Sequence, residues 1–175
     1  MKRHRIDRWL TSTKSFASIL MTPLEIMAVT GTVAFMVWAD SLARGGGNPL
    51  FIPSFAASLV VIFAERTISV ARSWNVAVGQ FVGALAGVIT VRVLTSPSWA
   101  AALLGVLVAL FLMRLTSSIH PPGVATTLFV VLTPANRDPW FLLFPILSGA
   151  ILIVAIAWTV RIIERRLRLL ISRTS

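Results

Sequence analysis

Six apolar segments, separated by short stretches that carry charge, proline or glycine, dominate the pattern of the chain. They cover Leu24–Ala39, Pro53–Ala64, Trp74–Val93, Ser98–Met113, Pro122–Thr133 and Trp140–Val160. Twelve helical residues rise about 18 Å, whereas the hydrocarbon core of a bilayer is about 30 Å thick. The second and fifth segments are therefore too short to span a bilayer as helices. The third and sixth segments are long enough to span it, and the first and fourth are long enough if their flanking residues are also helical.

The composition indicates that these apolar segments lie in a membrane. Hydrophobic residues make up 57 % and charged residues 13 % of the 175 residues, against about 45–50 % and about 25 % in a typical soluble domain. The mean hydropathy is +0.87. A chain of this size cannot bury so much apolar surface as a soluble globule. Because non-helical backbone at membrane depth needs polar partners, we predict an all-α polytopic membrane bundle with four long transmembrane helices and two short, broken or re-entrant helices.

The basic residues are concentrated at the two ends of the chain, which has a net charge of +10. Five of the 16 Lys and Arg residues lie in the first fourteen positions and five in the last fifteen. By the positive-inside rule, both termini are expected in the cytoplasm, with an even number of crossings of the cell inner (plasma) membrane. Residues 1–20 then form a basic cytoplasmic arm, 21–163 a single transmembrane domain and 164–175 a basic amphipathic tail. Nucleic-acid binding is not expected, because no aromatic residues interleave with the basic runs.

The two short segments occupy matching places in two halves of the chain. Pro53–Val61 aligns with Pro122–Val130 at an offset of 69 residues, with Pro, Ala, Leu and Val in common. This alignment predicts an internal two-fold repeat with halves at about residues 24–93 and 98–160. Short, Pro-interrupted segments in corresponding positions of two halves indicate a transporter site near the bilayer midplane. Two topologies stay open: six crossings with inverted halves, or four crossings with parallel halves if the short segments dip and return.

The stretch around His120 is chemically the most unusual. His120 is the only histidine of the apolar body, and a helix start at Pro122 would aim the free amides of residues 123–125 and the positive end of the helix dipole at a small anion. Pro53 would present a second helix start in the same way. The candidate anion-binding residues are His120, Pro121, Pro122, Gly123, Val124, Ala125 and Thr126 from the fifth segment, Ser54, Phe55, Ala56 and Ser58 from the second, and Asn75. The alternative interpretations are a packed histidine and a plain loop stop at the two prolines.

Other chemistry is not indicated by the residues. The chain has no cysteine, so it lacks thiolate ligands and a thiol nucleophile, and a single internal histidine argues against a zinc site. No Walker loop is present, and no serine–histidine–acid set is evident near His120. We therefore expect no enzyme activity, no metal and no cofactor. Gly79, Gly83 and Gly87 recur every four residues, which is typical of close helix packing.

At His120-Pro121-Pro122 the sequence resembles the HPP family of integral membrane proteins, which is named for this tripeptide. The resemblance covers about residues 45–160. It rests on Thr116, on His120 to Gly123 followed by Ala125 and Thr126, on Pro53 to Ser58, and on Trp74, Asn75 and Val76 with Gly79. The chain departs from the family pattern at Ala56, where Gly is usual, at Gln80, where His or Asn is common, and at Val124, where Gly or Ala is more frequent.

The resemblance implies a multi-spanning membrane transporter or channel for a small monovalent inorganic anion. Nitrite is the leading substrate, because plant plastid and cyanobacterial relatives are implicated in nitrite transport. The residues by themselves leave nitrate, formate, chloride and bicarbonate open. The alternative function is a non-transporting membrane scaffold or regulatory subunit in which the HPP turn is structural. The expected partners are the lipid bilayer and the anion, and association into a homo-oligomer is open.

Overall fold

Six α-helices of unequal length make up the part of the chain that the structure, a computed structural model, describes: residues 21–43, 52–64, 69–94, 98–133, 140 and 142–174. The helices are α1 (Pro23–Ala43), α2 (Pro53–Ala64), α3 (Ser73–Val93), α4 (Trp99–Leu115), α5 (Pro121–Leu132) and α6 (Ser148–Thr174). A 3-10 turn, Ser69–Ala71, precedes α3. An irregular helical turn, Leu142–Leu147, precedes α6.

Proline and hydroxyl side chains set the helix starts. Thr22 and Glu25 form a capping box around Pro23 at the start of α1. The Glu25 amide donates to Thr22 Oγ1 at 3.2 Å, and the Thr22 amide donates to the Glu25 carboxylate at 2.6 Å. Helix α4 begins after Ser98, whose hydroxyl accepts the Ala101 amide at 3.1 Å. Helices α2 and α5 both begin with proline, which suits a first turn because it has no N–H to leave unpaired.

Helix α3 packs against α5 at backbone contact distance. A Cβ added at Gly79 would lie 2.5 Å from the Cβ of His120, and one added at Gly87 would lie 2.7 Å from the Cβ of Val130. Between them, a Cβ at Gly83 would collide with the backbone of α5. The predicted role of the glycine stripe in helix packing is confirmed. Because the contacts advance along both helices together, α3 and α5 run parallel.

Helix α2 runs antiparallel to α5. Ser54, near the start of α2, bonds to Thr126 in α5, and Ser58, one turn further along α2, bonds to His120 just before α5. Moving forward along α2 therefore means moving backward along α5. The first half of α2 lies in the buried core, with Phe55 and Leu59 fully enclosed.

Helix α4 is antiparallel to both α3 and α5. The indole of Trp74, at the start of α3, donates to the carbonyl of Thr116 just after the end of α4 at 3.2 Å. Toward the other end, Gly105 of α4 lies against the side chain of Thr127 in α5. Residues 116–123, which join α4 to α5, therefore lie at the end of the bundle where α3 begins, and we call this end the HPP end.

Both ends of the described chain also lie at the HPP end. Thr22, before α1, donates through its hydroxyl to the carboxylate of Glu164 in the second half of α6 at 2.7 Å. Arg161 of α6 donates to the carbonyl of Ile62 in the last turn of α2 at 3.0 Å, where a cation complements the negative end of the helix dipole. The helix directions thus alternate along the chain from α1 to α6.

The helix lengths confirm the all-α class but not the full count of spans. Three helical stretches are long and apolar enough to cross a bilayer: Pro23–Leu42, Ser73–Val93 and Leu142–Ser172. Helices α2, α4 and α5 are shorter, with 12, 17 and 12 residues. The prediction of four long spans is not confirmed, because α4 is capped by Ser98 and stops at the turn where Ser117 takes a left-handed φ of 52°. The internal repeat is likewise not confirmed and stays a prediction.

The sixth apolar segment is not one uninterrupted helix. The backbone leaves helical geometry at Phe144, next to Pro145, which cannot donate an N–H and therefore breaks a helix. From Ser148 onward the helix continues without a break through the basic residues to Thr174. The predicted tail at 164–175 thus extends the last helix over its described part, and the predicted arm at 1–20 lies outside the described residues. The division into domains stays a prediction.

The outer face of α4 is apolar from Trp99 to Phe111. Trp99, Leu103, Leu107 and Phe111 follow one another every four residues, and each is more than half exposed. A continuous apolar strip of this kind is not stable in water. It fits a helix whose outer face contacts lipid chains.

Candidate functional site

Five uncharged polar side chains meet inside the apolar bundle where α2, α3 and α5 come together. They are Ser54 and Ser58 of α2, Gln80 of α3, His120 before α5 and Thr126 within α5, and we call them the polar cluster. None of them exposes more than 3 % of its surface. Polar groups at such depth are costly unless each has a partner. Their hydrogen bonds therefore decide what the cluster can do.

His120 is held at both nitrogen atoms of its ring. Nδ1 lies 3.0 Å from the carbonyl oxygen of Val70, and Nε2 lies 2.8 Å from Ser58 Oγ. Because a carbonyl oxygen can only accept, Nδ1 carries a proton, and Nε2 of the neutral ring accepts from the Ser58 hydroxyl. The two bonds fix the tautomer and join the turn before α3 to the start of α5 and to α2.

Gln80 joins the two short helices. Its Nε2 donates to Ser58 Oγ at 2.7 Å and to the Ser54 carbonyl at 3.3 Å, and its Oε1 accepts a short hydrogen bond from Thr126 Oγ1. Ser54 Oγ lies 2.6 Å from Thr126 Oγ1. Since Thr126 already donates its one hydroxyl proton to Gln80, Ser54 is the donor in that pair. The cluster is thus one connected set of hydrogen bonds.

The two short helices meet side by side rather than end to end. The bond from Ser54 to Thr126 and the bond from Ser58 to His120 place the first turns of the two antiparallel helices alongside each other. At about 18 Å each, these helices overlap by a few residues in the interior of the bundle. Each therefore has its N-terminal end close to the polar cluster.

The amide of Gly123 is not free, so that part of the predicted anion site is wrong. It donates to the carbonyl of His120 at 2.9 Å, and the amide of Phe55 donates in the same way to the carbonyl of Ile52 at 2.8 Å. Tight bonds of this kind satisfy first-turn amides that have no partner within a regular α-helix. The missing side chain of Gly123 allows the backbone of Gly79 to approach, rather than a ligand.

The structure brings four of the predicted site residues into the polar cluster: Ser54, Ser58, His120 and Thr126. Asn75 lies at its edge, where Nδ2 donates to the carbonyl of Ile119 at 2.9 Å. Phe55 instead packs in the core, with its ring against Gly149. Of the other predicted residues, Pro122 and Gly123 are buried, Ala56 and Val124 are partly buried, and Pro121 and Ala125 are exposed.

Sequence reasoning missed Gln80 as a site residue. It is the only polar side chain between Val76 and Ile89 in α3. A lone amide in the middle of a membrane helix needs a polar partner on another helix. That rule could have marked Gln80 as a candidate site residue, but it does not say which helix holds the partner.

The cluster offers neutral hydrogen-bonding groups only. Within the described ranges, no three His, Cys, Asp or Glu side chains come close enough together to hold a metal ion. Two serine hydroxyls, a threonine hydroxyl, a carboxamide and an imidazole can donate hydrogen bonds to a small anion. They provide no fixed charge in the state described.

Comparison with known proteins gives a family and two relatives. The family description "HPP, transmembrane region" matches residues 12–168. A transmembrane protein of Dictyostelium discoideum is 38 % identical over 122 residues, which are 67 % of this chain and 43 % of that protein. A second transmembrane protein of the same organism is 33 % identical over 118 residues, which are 65 % of this chain and 38 % of that protein. The chain thus spans less than half the length of these curated relatives. No solved structure matches it.

Proposed function

Because the chain belongs to the HPP family of transmembrane proteins, we propose that it is a transporter or channel for a small monovalent inorganic anion, with nitrite as the first substrate to test. The observation that carries the proposal is the polar cluster, a set of buried, uncharged side chains where two half-length helices overlap. Helices that begin inside the bundle in this way supply substrate sites in transporters, with their N-terminal ends toward the anionic group.

The chemistry of the cluster suits an anion that must be released again. The first turns of α2 and α5 lie alongside the cluster, and each carries the positive end of a helix dipole, worth about half an elementary charge. Hydroxyl and carboxamide groups add donors without a formal charge. A buried arginine would hold an anion too tightly for conduction, whereas several weak donors allow both entry and exit.

The described arrangement is a closed one, because the polar groups bond to each other. The hydroxyls have local alternatives: Ser58 Oγ lies 2.9 Å from the Ser54 carbonyl, and Thr126 Oγ1 lies 3.4 Å from the Pro122 carbonyl. Rotation of the Thr126 hydroxyl can therefore release the Gln80 carboxamide oxygen, and rotation of the Ser58 hydroxyl can release His120 Nε2. In the transport cycle we propose, the anion takes the place of the bonds that link α2, α3 and α5.

The membrane placement is part of the proposal. We place the protein in the cell inner (plasma) membrane, with both termini and the HPP end in the cytoplasm and six crossings of alternating direction. The positive-inside rule supports this orientation, because Arg165, Arg166 and Arg168 continue α6 beyond Glu164 at that end. Association into a homo-oligomer belongs to the same proposal.

A second candidate is a non-transporting membrane scaffold or regulatory subunit. The observation that favours it is the completeness of the cluster, whose hydrogen bonds would also brace three helices without a ligand. Under this candidate, neither the cluster nor the HPP turn would contact an anion. We propose no catalysis for either case, because the Ser58–His120 pair is fully buried and the second ring nitrogen faces a neutral carbonyl.

The test is anion uptake by the purified protein in liposomes. Labelled nitrite is supplied at alkaline pH, where it stays ionised and does not cross as nitrous acid. We expect uptake well above that of protein-free liposomes, reduced by an excess of nitrate or formate if these compete for the same site. Uptake no faster than in protein-free liposomes for any of these anions would favour the scaffold.

A further inference from the structure

A polar basin opens at the HPP end beside the polar cluster. It has a volume of about 300 Å³ and is lined by Ser69, Arg72, Asn75, Arg114, Ser117 and Ile119; we call it the arginine basin. Three separate pieces of chain form it: the start of α3 with the turn before it, the end of α4, and the segment leading to His120. Among these described residues, only Ile119 has an apolar side chain.

Two cations face this basin, and the lining residues that the structure describes include no acid. Arg72 precedes the first residue of α3, and Arg114 lies in the last turn of α4. Both side chains are exposed, and neither forms a salt bridge with a carboxylate of the described residues. A cavity whose described lining contains two guanidinium groups and three neutral polar side chains is complementary to an anion.

The start of α3 adds to this field. Arg72 adopts extended backbone geometry, and its side chain does not cap the helix. The first hydrogen bond within α3 runs from the Val76 amide to the Arg72 carbonyl at 3.0 Å. The amides of residues 73–75 therefore precede any partner within the helix, and the positive dipole end of a 21-residue helix lies at the wall of the basin.

The basin shares its inner wall with the polar cluster. Ile119, whose carbonyl accepts from Asn75, is followed directly by His120. Ser69 is followed directly by Val70, whose carbonyl accepts from the His120 ring. Two residues that line the basin, Ser69 and Ile119, are therefore sequence neighbours of residues that form the hydrogen bonds of the cluster.

We propose that the arginine basin is a binding site for a small inorganic oxyanion, which it captures while still hydrated before the anion reaches the polar cluster. This capture role rests on the proposed transport function. A volume of about 300 Å³ accommodates an ion together with several waters, which occupy about 30 Å³ each. The planar guanidinium fork pairs with two oxygens of nitrite or nitrate at once. The basin therefore favours oxyanions over chloride.

The first test measures binding apart from transport. The melting temperature of the detergent-solubilised protein is followed with rising sodium nitrite or nitrate against sodium chloride at equal ionic strength, since a ligand that binds only the folded state raises it. We expect nitrite to raise it in the wild type and in Arg92→Gln, a matched control at the opposite end of α3. The double variant Arg72→Gln/Arg114→Gln should lose this response. Equal responses in all three proteins would overturn the proposal.

The second test measures uptake in liposomes. Each single variant, Arg72→Gln or Arg114→Gln, should raise the nitrite concentration for half-maximal uptake about threefold to tenfold, as expected for exposed charge-assisted contacts, with little change in the maximal rate. Arg92→Gln should match the wild type. If the wild type takes up nitrite and neither basin variant changes the concentration for half-maximal uptake, the capture role is contradicted and the transport function is not.

The two tests also distinguish a free ion from a lipid phosphate as the bound anion. They distinguish failure of the binding site from failure of the transport function. Nitrite-dependent stabilisation that is lost in the double variant, without uptake by the wild type, would keep the binding site and overturn transport. Stabilisation by vesicles of phosphatidylglycerol, with none by nitrite or nitrate, would assign the basin to a lipid phosphate and overturn the capture of a free ion.

Discussion

His120 connects three parts of the bundle through two hydrogen bonds and one close contact. Its ring bonds to Val70 and to Ser58, and its Cβ lies where a side chain on Gly79 would have to go. The sequence left two interpretations open, a ligand-binding histidine and a packed one. The structure gives the residue a packing role, and its place in the polar cluster keeps a role in binding as a proposal.

Replacing His120 should therefore lower stability as well as uptake. His120→Ala removes two buried hydrogen bonds, worth about 1 kcal/mol each, and leaves a cavity. We expect a total loss of about 2–4 kcal/mol in the free energy of unfolding, measured by thermal or denaturant unfolding in detergent. Thr30→Ala is the control, because that exposed hydroxyl bonds only to carbonyls of its own helix. Equal stability of His120→Ala and the wild type would contradict the packing described.

The sequence identified His120 and its hydroxyl neighbours but not the whole cluster. A single histidine beside two prolines stands out in an apolar chain, and hydroxyls near proline helix starts follow from the same pattern. Gln80 could not be placed with them in this way, because its partners Ser58 and Thr126 are 22 and 46 residues away in the chain. Contacts at such separation depend on how the helices pack, which one sequence does not give.

At the scale of elements, the short helices α2 and α5 were the most predictable. The predicted segment Pro53–Ala64 matches α2, and Pro122–Thr133 differs from α5 by one residue at each end, because proline is tolerated in the first turn of a helix but not in its interior. Their relation in space was not predictable. The bonds from Ser54 to Thr126 and from Ser58 to His120 show that the two helices pass side by side, and such contacts depend on how the helices pack.

The glycine contacts should be sensitive to a single methyl group. A Cβ on Gly123 would collide with the carbonyl of Gly79, which is backbone and cannot rotate away. We expect Gly123→Ala to lower the free energy of unfolding by about 1–3 kcal/mol, the usual cost of overpacking.

Gly31→Ala is the matched control for this variant. Gly31 also lies within a helix, but a Cβ there would meet nothing within 4 Å. Gly31→Ala should therefore leave the free energy of unfolding unchanged or raise it by up to about 1 kcal/mol, because alanine has the higher helix propensity. Thermal unfolding in detergent compares the two variants, and an equal effect of both would contradict the close contact between α3 and α5.

At the scale of the whole molecule, the alternating helix directions bring the start of α1 to the same end of the bundle as the second half of α6. The bond between Thr22 and Glu164 places the start of α1 beside α6. The expectation that both termini lie in the cytoplasm stays a prediction. The distribution of basic residues predicts on which side of the membrane the ends lie, because the positive-inside rule depends only on where charge lies along the chain. It could not predict the depth at which α2 begins, which depends on packing.

Sidedness can be measured directly, because the natural chain contains no cysteine. Ser69→Cys and Ser172→Cys, at the HPP end and near the C-terminus, should react with a membrane-impermeant maleimide from the same side. Trp99→Cys, at the start of α4, should react only from the opposite side. Labelling of all three from one side of sealed, oriented vesicles would contradict the alternating arrangement.

The central claim, that the polar cluster lies on the path of an anion, is tested most directly by nitrite uptake into liposomes that contain Gln80→Leu. Leucine has a similar volume, and Ser58 and Thr126 keep carbonyl partners in their own helices, so stability should change by less than about 1.5 kcal/mol. Thr90→Val is the control, because Thr90 is buried in the same helix and its hydroxyl donates to the Ala86 carbonyl. We predict that Thr90→Val takes up nitrite like the wild type and that Gln80→Leu loses at least about nine-tenths of the rate, as removal of about 1.4 kcal/mol of binding would cause. Normal uptake by a folded Gln80→Leu would contradict the claim.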